Sequence, residues 1–462
     1  MLRIAGYTVK EEWECNFKRK LAAGPELQDM VKDLTWVAPL NPKAALFGGR
    51  TGLSCCYNKT DNGEIIDYVN YTSLYPWVNK YATYPIGHPT IIKNPTDQNI
   101  SNYFGVAKVD VIAPEKLFHP VLPMQIGEKC MFTLCAASAE TQLERPWHER
   151  TNMCSHCDEE RTMTGTWCTE ELKMAARKGC TILRIHEVWH WSEKQRKTGL
   201  FAPYVNKFLK AKQESSGWPS DCVTDEQKTE YVSEYEKHER ILLDKEKIAV
   251  NPGRKAVAKV MLNSFWGKFG EADNKPTTST IQKVEDWEKL MNNDSIIVKS
   301  VNVYSDDVLE VTTVKKEGAC APNAKGNIFI ALFTTGLARL KLYQALDVLQ
   351  QRVLYYDTDS FIYKSKPGDE KLPLGKCLGQ FTEEIGGDHI DEFGSAGPKS
   401  YGYLTSKGKE ECKSKGLKNT HAVREVLNCD SMLKHILLEL KDPEERKRQL
   451  KTILKNDFVR NS

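Results

Sequence analysis

The chain has 462 residues, enough for about three domains of ordinary size. Its 65 Lys and Arg residues against 62 Asp and Glu residues give a net charge of +3, which excludes a histone-like polycation. The content of hydrophobic residues (40%) and charged residues (27%) is that of a folded chain, and without an apolar run of about 18 residues a membrane span is excluded.

Fourteen cysteines are spread over the whole chain, far fewer than a disulfide scaffold needs. The N-terminal segment turns acidic after a short apolar opening, so no signal peptide is predicted. These features predict reduced thiols and an intracellular protein. The sequence contains no targeting signal that we recognise, and a nuclear location is expected only if the host is a eukaryote.

The first half of the chain is predicted to alternate strands and helices. Residues 1–45 indicate a strand or two and a short helix. The Gly-rich turn FGGRTG at 47–52 leads into strands across 53–75. Short β-like runs alternate with Cys- and Trp-containing loops over 99–195, and a polar helical section follows from about Ala202 to Lys247.

The second half contains clearer periodic segments. We predict helices over 252–266 and 327–350 and an antiparallel pair over 295–314. The tail beyond 404 is rich in lysine and ends in a charged helix around 429–456. Antiparallel strands mixed with helices indicate an α+β fold.

The strongest motif is Asp357-Thr358-Asp359-Ser360, which lies between two runs of apolar β-formers. This pattern predicts a hairpin with two carboxylates at its tip. Like charges held so close repel unless a cation lies between them, and carboxylate oxygens on a rigid hairpin suit Mg²⁺. Taken alone, the motif also fits an ordinary polar turn.

A well-delimited helix is predicted after Asn251. Its residues Lys255, Lys259 and Asn263 are four apart and form one polar stripe that could hold a triphosphate. Taken alone, this stripe also fits a solvated helix face. The other face is predicted to be mostly apolar and consists of Val257, Val260, Met261, Ser264 and Phe265.

Two further motifs combine aromatic and polar residues. In Ser73-Leu74-Tyr75-Pro76, at the predicted end of a strand, Tyr75 fits either a ring beneath a sugar or a core residue. In GPKSYGY, Lys399 and Tyr401 are two apart and lie side by side if the segment is extended. That pair fits either a clamp on a phosphate backbone or two surface residues.

A cluster of cysteines forms a separate candidate site. Cys130, Cys135, Cys154 and Cys157, with His156 between the last two, approach the spacing of a zinc site. Reduced, unligated thiols are the alternative interpretation.

Along the chain the four motifs follow the order SLYP, Lys259-x3-Asn263, DTDS and Lys399-x-Tyr401. In that order they resemble the polymerase module of family B DNA polymerases, in particular the protein-primed branch of Polinton/Maverick-type transposons and related viruses. The resemblance covers the chain from about Phe47 to Tyr403. It implies a right-hand α+β polymerase with an antiparallel-sheet palm, helical fingers and a small thumb. The implied domains are a remnant of an upstream domain with a linker (1–45), the first part of the palm with an insertion (46–195), the fingers (196–275), the second part of the palm with an insertion (276–403) and the thumb (404–462).

The resemblance also implies residue roles. Asp357 and Asp359 would bind two Mg²⁺ ions, and Tyr75 would exclude a ribose 2′-hydroxyl. The incoming dNTP would contact Lys259, Asn263, Ser73, Leu74 and Tyr75. Primer-template DNA would contact Lys399, Tyr401, Gly48 and Gly49. A terminal priming protein is a further implied partner.

The first motif departs from the family at Asn70, because the family reads Asp-x-x-Ser-Leu-Tyr-Pro and its aspartate is a metal ligand. Asp67 is about 10 Å away along an extended strand and on the opposite face, so it is not expected to substitute. Loss of one preorganised charged group costs about 10²–10³ in rate. We therefore expect weak or absent catalysis.

The sequence thus predicts a DNA-directed DNA polymerase that acts in DNA replication, encoded by a transposon or virus-like element. The alternative is a catalytically weak or dead DNA-binding relic of such an enzyme, which Asn70 favours. A zinc-dependent DNA-binding protein or nuclease is a third interpretation and depends on the cysteines alone. The segment before Phe47 is too short for the proofreading exonuclease of the family, so an upstream domain is expected to be missing.

Overall fold

The structure is a computed structural model, and it describes residues 14–25, 28, 38–61, 63–127, 129–144, 154–316, 319–320, 326–416 and 420–441. The chain forms two compact units, Met1–Leu40 and Asn41–Ser462. Among its described residues the first unit contains one helix, Glu14–Ala23.

A large antiparallel sheet forms the centre of the second unit. Its strands follow the order β1-β15-β16-β3-β18-β19-β20, with β17 paired to β3 and β2 paired to β18. Aromatic and β-branched residues dominate its central strands, as in VLYYD of β15, and such side chains suit a pleated, buried surface. The strands are β1 (Thr51–Leu53), β2 (Tyr57–Lys59), β3 (Ile65–Tyr71), β15 (Val353–Asp357), β16 (Ser360–Ser365), β17 (Phe381–Glu383), β18 (Ile390–Gly397), β19 (Ser400–Thr405) and β20 (Glu410–Lys413).

One long helix, Ile328–Leu349, packs against this sheet and is called the central helix below. Asn327 caps its first turn through hydrogen bonds from the backbone of Phe329 and Ile330. The helix is apolar on nearly all sides, which is typical of a helix buried within a domain. Its Leu342 and Leu346 share a core with Val69 and Phe361 of the sheet.

A second sheet lies in the segment between β3 and the helix Ala202–Glu214. Four strands in the order β5-β10-β6-β9 pack around a separate core that includes Val109 and Trp167. The elements of this segment are β4 (Thr83–Pro85), β5 (Thr90–Lys93), β6 (Gly105–Ile112), β7 (Pro123–Ile126), β8 (Lys129–Phe132), β9 (Met163–Cys168), β10 (Thr181–His190), β11 (Arg196–Thr198) and the helices Leu74–Tyr81, Ala136–Glu144, Asp158–Arg161 and Thr169–Arg177.

A group of helices follows: Ala202–Glu214, Asp225–Glu239 and Pro252–Ser264. The last is called the lysine helix below, and it begins with the predicted Asn251 cap and Pro252. The predicted apolar face is wrong in part, because Val257 and Val260 are 61% and 62% exposed. The helix instead buries Ala258 and Leu262.

The remaining elements form a small three-stranded sheet and the C-terminal helices. The small sheet consists of β12 (Thr277–Ile281), β14 (Val308–Lys315) and β13 (Ile296–Ser305), in that order, beside the helix Val284–Met291. Helices His421–Val426 and Cys429–Lys441 come last among the described residues. Within the described parts of the chain, no helix is both long enough and apolar enough to cross a bilayer.

Several local predictions are confirmed, among them the hairpin around 357–360 and the antiparallel pair within 295–314. The prediction that strands extend as far as residue 75 is wrong. The strand stops at Tyr71, and Leu74 begins a helix in which Pro76 occupies the first turn, where its missing N–H costs nothing. The predicted helix around 429–456 is confirmed to Lys441, and its remainder lies outside the described residues.

Candidate active site

The two aspartates lie at the turn between β15 and β16, which we call the acidic turn (Asp357–Ser360). Thr358 adopts a left-handed conformation with φ of 57°, and its N–H donates to the carbonyl of Arg50 over 2.8 Å. Its hydroxyl donates to Asp357 Oδ1 over 2.9 Å. These contacts hold the turn in one conformation.

Asn70 lies beside this turn because β3 pairs with β16, and Asn70 is directly opposite Ser360. The neighbouring Tyr71 N–H donates to the carbonyl of Asp359 over 2.6 Å. Asn70 Oδ1 is buried, and no described residue donates a hydrogen bond to it. The pairing therefore brings the amide of residue 70 and the two carboxylates to the same place.

Asn70, Asp357 and Asp359 line one cavity of about 410 Å³. Burial, and after it the charge of Asp357, raises the pKa of Asp359 to about 6, and Glu384 contributes in the same direction. The nearest counter-charge on Asp357 is Lys399, whose Nζ is 4.0 Å from Oδ1. The two neighbouring carboxylates and the amide oxygen, which accepts no hydrogen bond from any described residue, form a ligand set that fits a divalent cation. This set has one negative charge fewer than three carboxylates would supply.

Asp67 does not reach this cavity. It is opposite Tyr363 in the sheet, three residues along β3 from Asn70. Its carboxylate accepts hydrogen bonds from Ser365 Oγ (2.7 Å) and Lys371 Nζ (3.4 Å). These contacts agree with the expectation that Asp67 does not replace the missing aspartate.

Beyond the acidic turn, the SLYP residues divide between the site and the core. Ser73 adopts a left-handed conformation ahead of the helix Leu74–Tyr81. The ring of Tyr75 lies against Trp266, with centroids 4.7 Å apart, and burial raises the pKa of the Tyr75 hydroxyl to about 12. The side chain of Leu74 is buried in the core beneath the central helix, which leaves its backbone for any contact with a nucleotide.

The predicted stripe of Lys255, Lys259 and Asn263 lies on the lysine helix, and sequence reasoning missed its partner Lys212. Lys212 comes from the helix Ala202–Glu214, and its Nζ donates to Ser73 Oγ over 3.3 Å. Burial, and then the charges of Lys259 and Lys255, lowers the pKa of Lys212. Three lysines therefore converge beside the first motif.

The two glycines of the FGGR segment differ in their surroundings. A Cβ on Gly49 would lie 2.7 Å from Thr358 Oγ1 and 3.1 Å from the hydroxyl of Tyr75. A Cβ on Gly48 would meet nothing within 4 Å. Close packing therefore requires glycine at position 49 and leaves position 48 open.

We expect Gly49→Ala to displace Thr358 and to cost about 1–3 kcal/mol of stability, as overpacking of a closed contact does. Any nucleotidyl transfer should fall with it, because Thr358 lies between the two aspartates. Gly48→Ala is the matched control and should change stability by no more than about 0.5 kcal/mol. Thermal unfolding of both variants checks this, and equal effects would contradict it.

Lys399 and Tyr401 line the same cavity, although the segment is not extended at Lys399. Lys399 has φ of 64° and lies in the turn between β18 and β19, where its N–H donates to Tyr355 OH over 2.9 Å. Tyr401 is buried within β19, and its hydroxyl is 3.1 Å from that of Tyr68. The turn separates the exposed cation from the buried ring.

The cysteine cluster also differs from the prediction. Cys135, Cys154 and His156 converge, with their candidate ligand atoms all within 4.8 Å of one another. Cys130 lies outside this group in β8, paired opposite Gln125. Cys157 lies outside the group as well. It comes directly before the helix Asp158–Arg161, and its thiol donates to the carboxylate of Glu159.

Comparisons with known proteins agree with this arrangement. Residues 41–221 match the family described as DNA polymerase type B, organellar and viral. A structure of Phi29 DNA polymerase complexed with primer-template DNA is 14% identical, with a TM-score of 0.54, covering 90% of this chain and 62% of that one. The ternary complex of the same polymerase with primer-template DNA and incoming nucleotide substrates gives the same values. An orthorhombic crystal form of Phi29 DNA polymerase is 15% identical, with a TM-score of 0.53, covering 88% of this chain and 62% of that one.

At such identity the likeness shows the fold, a mixed α/β arrangement of antiparallel sheets and helices. This chain spans about 62% of the length of the similar Phi29 polymerase chains. No curated protein matches the chain.

Proposed function

We propose that the chain is the polymerase module of a DNA-directed DNA polymerase, because its residues 41–221 match the family described as DNA polymerase type B, organellar and viral. Its reaction would transfer nucleotides from dNTPs to the 3′-end of a primer under direction of a template. The observation that carries this proposal is the convergence of Asn70, Asp357 and Asp359 in one cavity.

The residues around the cavity have distinct roles in this proposal. Asp357, Asp359 and the free amide oxygen of Asn70 would hold the divalent cations. In a pair of bound Mg²⁺ ions, this site would gain the charge needed to activate a primer hydroxyl and to neutralise the leaving pyrophosphate. Lys399, which lines the same cavity and is partly exposed, would contact the primer strand.

The incoming nucleotide would lie between the lysines and Tyr75. Lys212, Lys255 and Lys259 supply three positive charges beside Ser73, and Asn263 continues the stripe on the lysine helix. The ring of Tyr75 lies against Trp266, and its hydroxyl lies close to Gly49. In this position Tyr75 would exclude a ribose 2′-hydroxyl.

We expect Lys212→Gln to raise the KM for dNTPs about 10- to 100-fold, since a hydrogen bond to a charged group contributes about 1.5–3 kcal/mol. Lys207→Gln, an exposed position on the same helix, is the matched control and should leave KM unchanged. Steady-state incorporation of a single dNTP measures both. An unchanged KM in Lys212→Gln would remove Lys212 from the nucleotide site.

The proposed function is tested by extension of a labelled primer on a template with four dNTPs, in Mg²⁺ and in Mn²⁺. The protein is expected to extend the primer slowly, and Asp359→Asn is expected to stop extension while DNA binding continues. Extension that continues undiminished in Asp359→Asn would contradict the proposal.

The second candidate is the DNA-binding relic, and Asn70 is the observation that favours it. If the protein is a relic, it is expected to bind primer-template DNA, and neither the natural chain nor its Asn70→Asp variant is expected to extend a primer. A polymerase weakened only at position 70 regains extension in that variant. The same assay therefore separates the two functions.

The wider setting is proposed from the family. The chain would act in DNA replication for a transposon or virus-like element, inside the cell, with primer-template DNA, dNTPs and a terminal priming protein as partners. In a right-hand arrangement, residues 46–195 and 276–403 would form the palm with its insertions, 196–275 the fingers and 404–462 the thumb.

A further inference from the structure

Two cysteines and a histidine converge in a part of the chain that the proposed polymerase chemistry does not use. Cys135 is buried and directly precedes the helix Ala136–Glu144, while Cys154 and His156 precede the helix Asp158–Arg161. None of these three residues lines the cavity at the acidic turn.

The distances from His156 to the two sulfurs match two edges of a metal tetrahedron. His156 Nδ1 is 3.5 Å from Cys135 Sγ and 3.5 Å from Cys154 Sγ. With Zn–S bonds of about 2.3 Å and Zn–N bonds of about 2.0–2.1 Å, a tetrahedral site separates sulfur from nitrogen by about 3.5 Å. The two S–N distances therefore fit one bound ion, and the two sulfurs lie within 4.8 Å of each other.

Hydrogen bonding alone does not account for the arrangement. His156 Nδ1 has three neighbours within 3.5 Å, since Ser138 Oγ is also 3.0 Å away. A neutral imidazole nitrogen carries either one hydrogen or one lone pair, so it can form one good hydrogen bond and not three. A cation at the centre would use that lone pair and both sulfurs at once.

The backbone around Cys135 provides a hydrogen bond to its sulfur. The N–H of Ser138 donates to Cys135 Sγ over 3.3 Å. Cys135 also lies at the N-terminus of a nine-residue helix, where the backbone dipoles stabilise a negative charge. The hydrogen bond from Ser138 would remain in place when Cys135 Sγ holds a metal ion.

We propose that Cys135, Cys154 and His156 form a structural zinc site. Two sulfurs and one imidazole nitrogen are the ligand types that select zinc over magnesium or calcium. Among the described residues, no fourth His, Cys, Asp or Glu belongs to this group. The ion would join the start of the helix Ala136–Glu144 to the segment that carries Cys154 and His156.

The proposal is tested by metal analysis of the full chain purified after expression with added zinc. We expect about one zinc per chain in the natural protein and almost none in Cys135→Ser, Cys154→Ser and His156→Asn. Cys130→Ser and Cys157→Ser are the matched controls and should retain zinc, because neither thiol belongs to the three-residue group.

Cobalt substitution gives a second measurement that needs no variant to fold. The natural protein loaded with Co²⁺ should show the intense visible bands and the sulfur-to-cobalt charge-transfer band of a tetrahedral thiolate site. A zinc content near zero in the natural protein, an octahedral cobalt spectrum, or zinc retained in all three ligand variants would overturn the proposal.

Discussion

Asn70→Asp is expected to raise the rate of primer extension about 10²–10³-fold over the natural chain, the size of effect that one preorganised charged group contributes. The substitution restores a third carboxylate next to Asp357 and Asp359, at a position whose amide oxygen has no hydrogen-bond donor among the described residues. Single-turnover extension at saturating dNTP, in Mg²⁺ and in Mn²⁺, measures the change. Without metal the added charge should lower the midpoint of thermal unfolding, because three carboxylates then repel one another.

Asp67→Asn is the matched control for this variant, since it changes a carboxylate on the same strand that is bound to Ser365 and Lys371 instead. It should leave the extension rate unchanged. A natural chain that already extends primers at the rate of Asn70→Asp would show that the missing aspartate is not needed. An increase caused by Asp67→Asn would place the metal site elsewhere on β3.

Arg339→Met is expected to lower the free energy of unfolding by about 3–5 kcal/mol, because it leaves a buried carboxylate without its partner. Arg339, on the central helix, forms two hydrogen bonds with Glu171, of 2.8 and 2.9 Å, and both side chains are almost fully buried. Its third nitrogen donates to the carbonyls of Phe47 and Gly48 over 2.7 Å each. Arg339 thus joins the central helix to the Gly-rich segment beside the acidic turn. Chemical denaturation measures the loss in the free energy of unfolding.

Gln344→Met is the control, since Gln344 is an exposed position on the same helix and should change stability by no more than about 0.5 kcal/mol. The double variant Arg339→Met/Glu171→Leu removes both charges and should recover much of the loss. A loss in Arg339→Met of no more than the control value would show that the pair contributes little to the fold.

Features that depend on neighbouring residues could be predicted from the sequence. The hairpin at 357–360 follows from turn-forming residues between two apolar strands, and the lysine helix follows from its Asn251 cap and Pro252. The closeness of Asn70 to the acidic pair was predicted only through the family resemblance. Nothing in the local pattern indicates that β3 pairs with β16.

Features that depend on packing between distant segments could not be predicted. Lys212 joins the lysine cluster only because two helices pack together, and its own helix shows no special spacing. The side chain of Leu74 is buried because the helix that begins there turns it into the core. The cysteine spacing selected Cys157, whereas the fold brings the adjacent His156 to the cluster.

The central claim is that residue 70 and the two aspartates of the acidic turn bind the same cations. It is tested most directly by titrating Mn²⁺ into the protein and following free Mn²⁺ by electron paramagnetic resonance, without DNA or nucleotide. We predict weak binding to the natural chain, at least tenfold tighter binding to Asn70→Asp, and loss of this binding in Asp359→Asn. Equal Mn²⁺ affinity in the natural chain and in Asn70→Asp would contradict the claim.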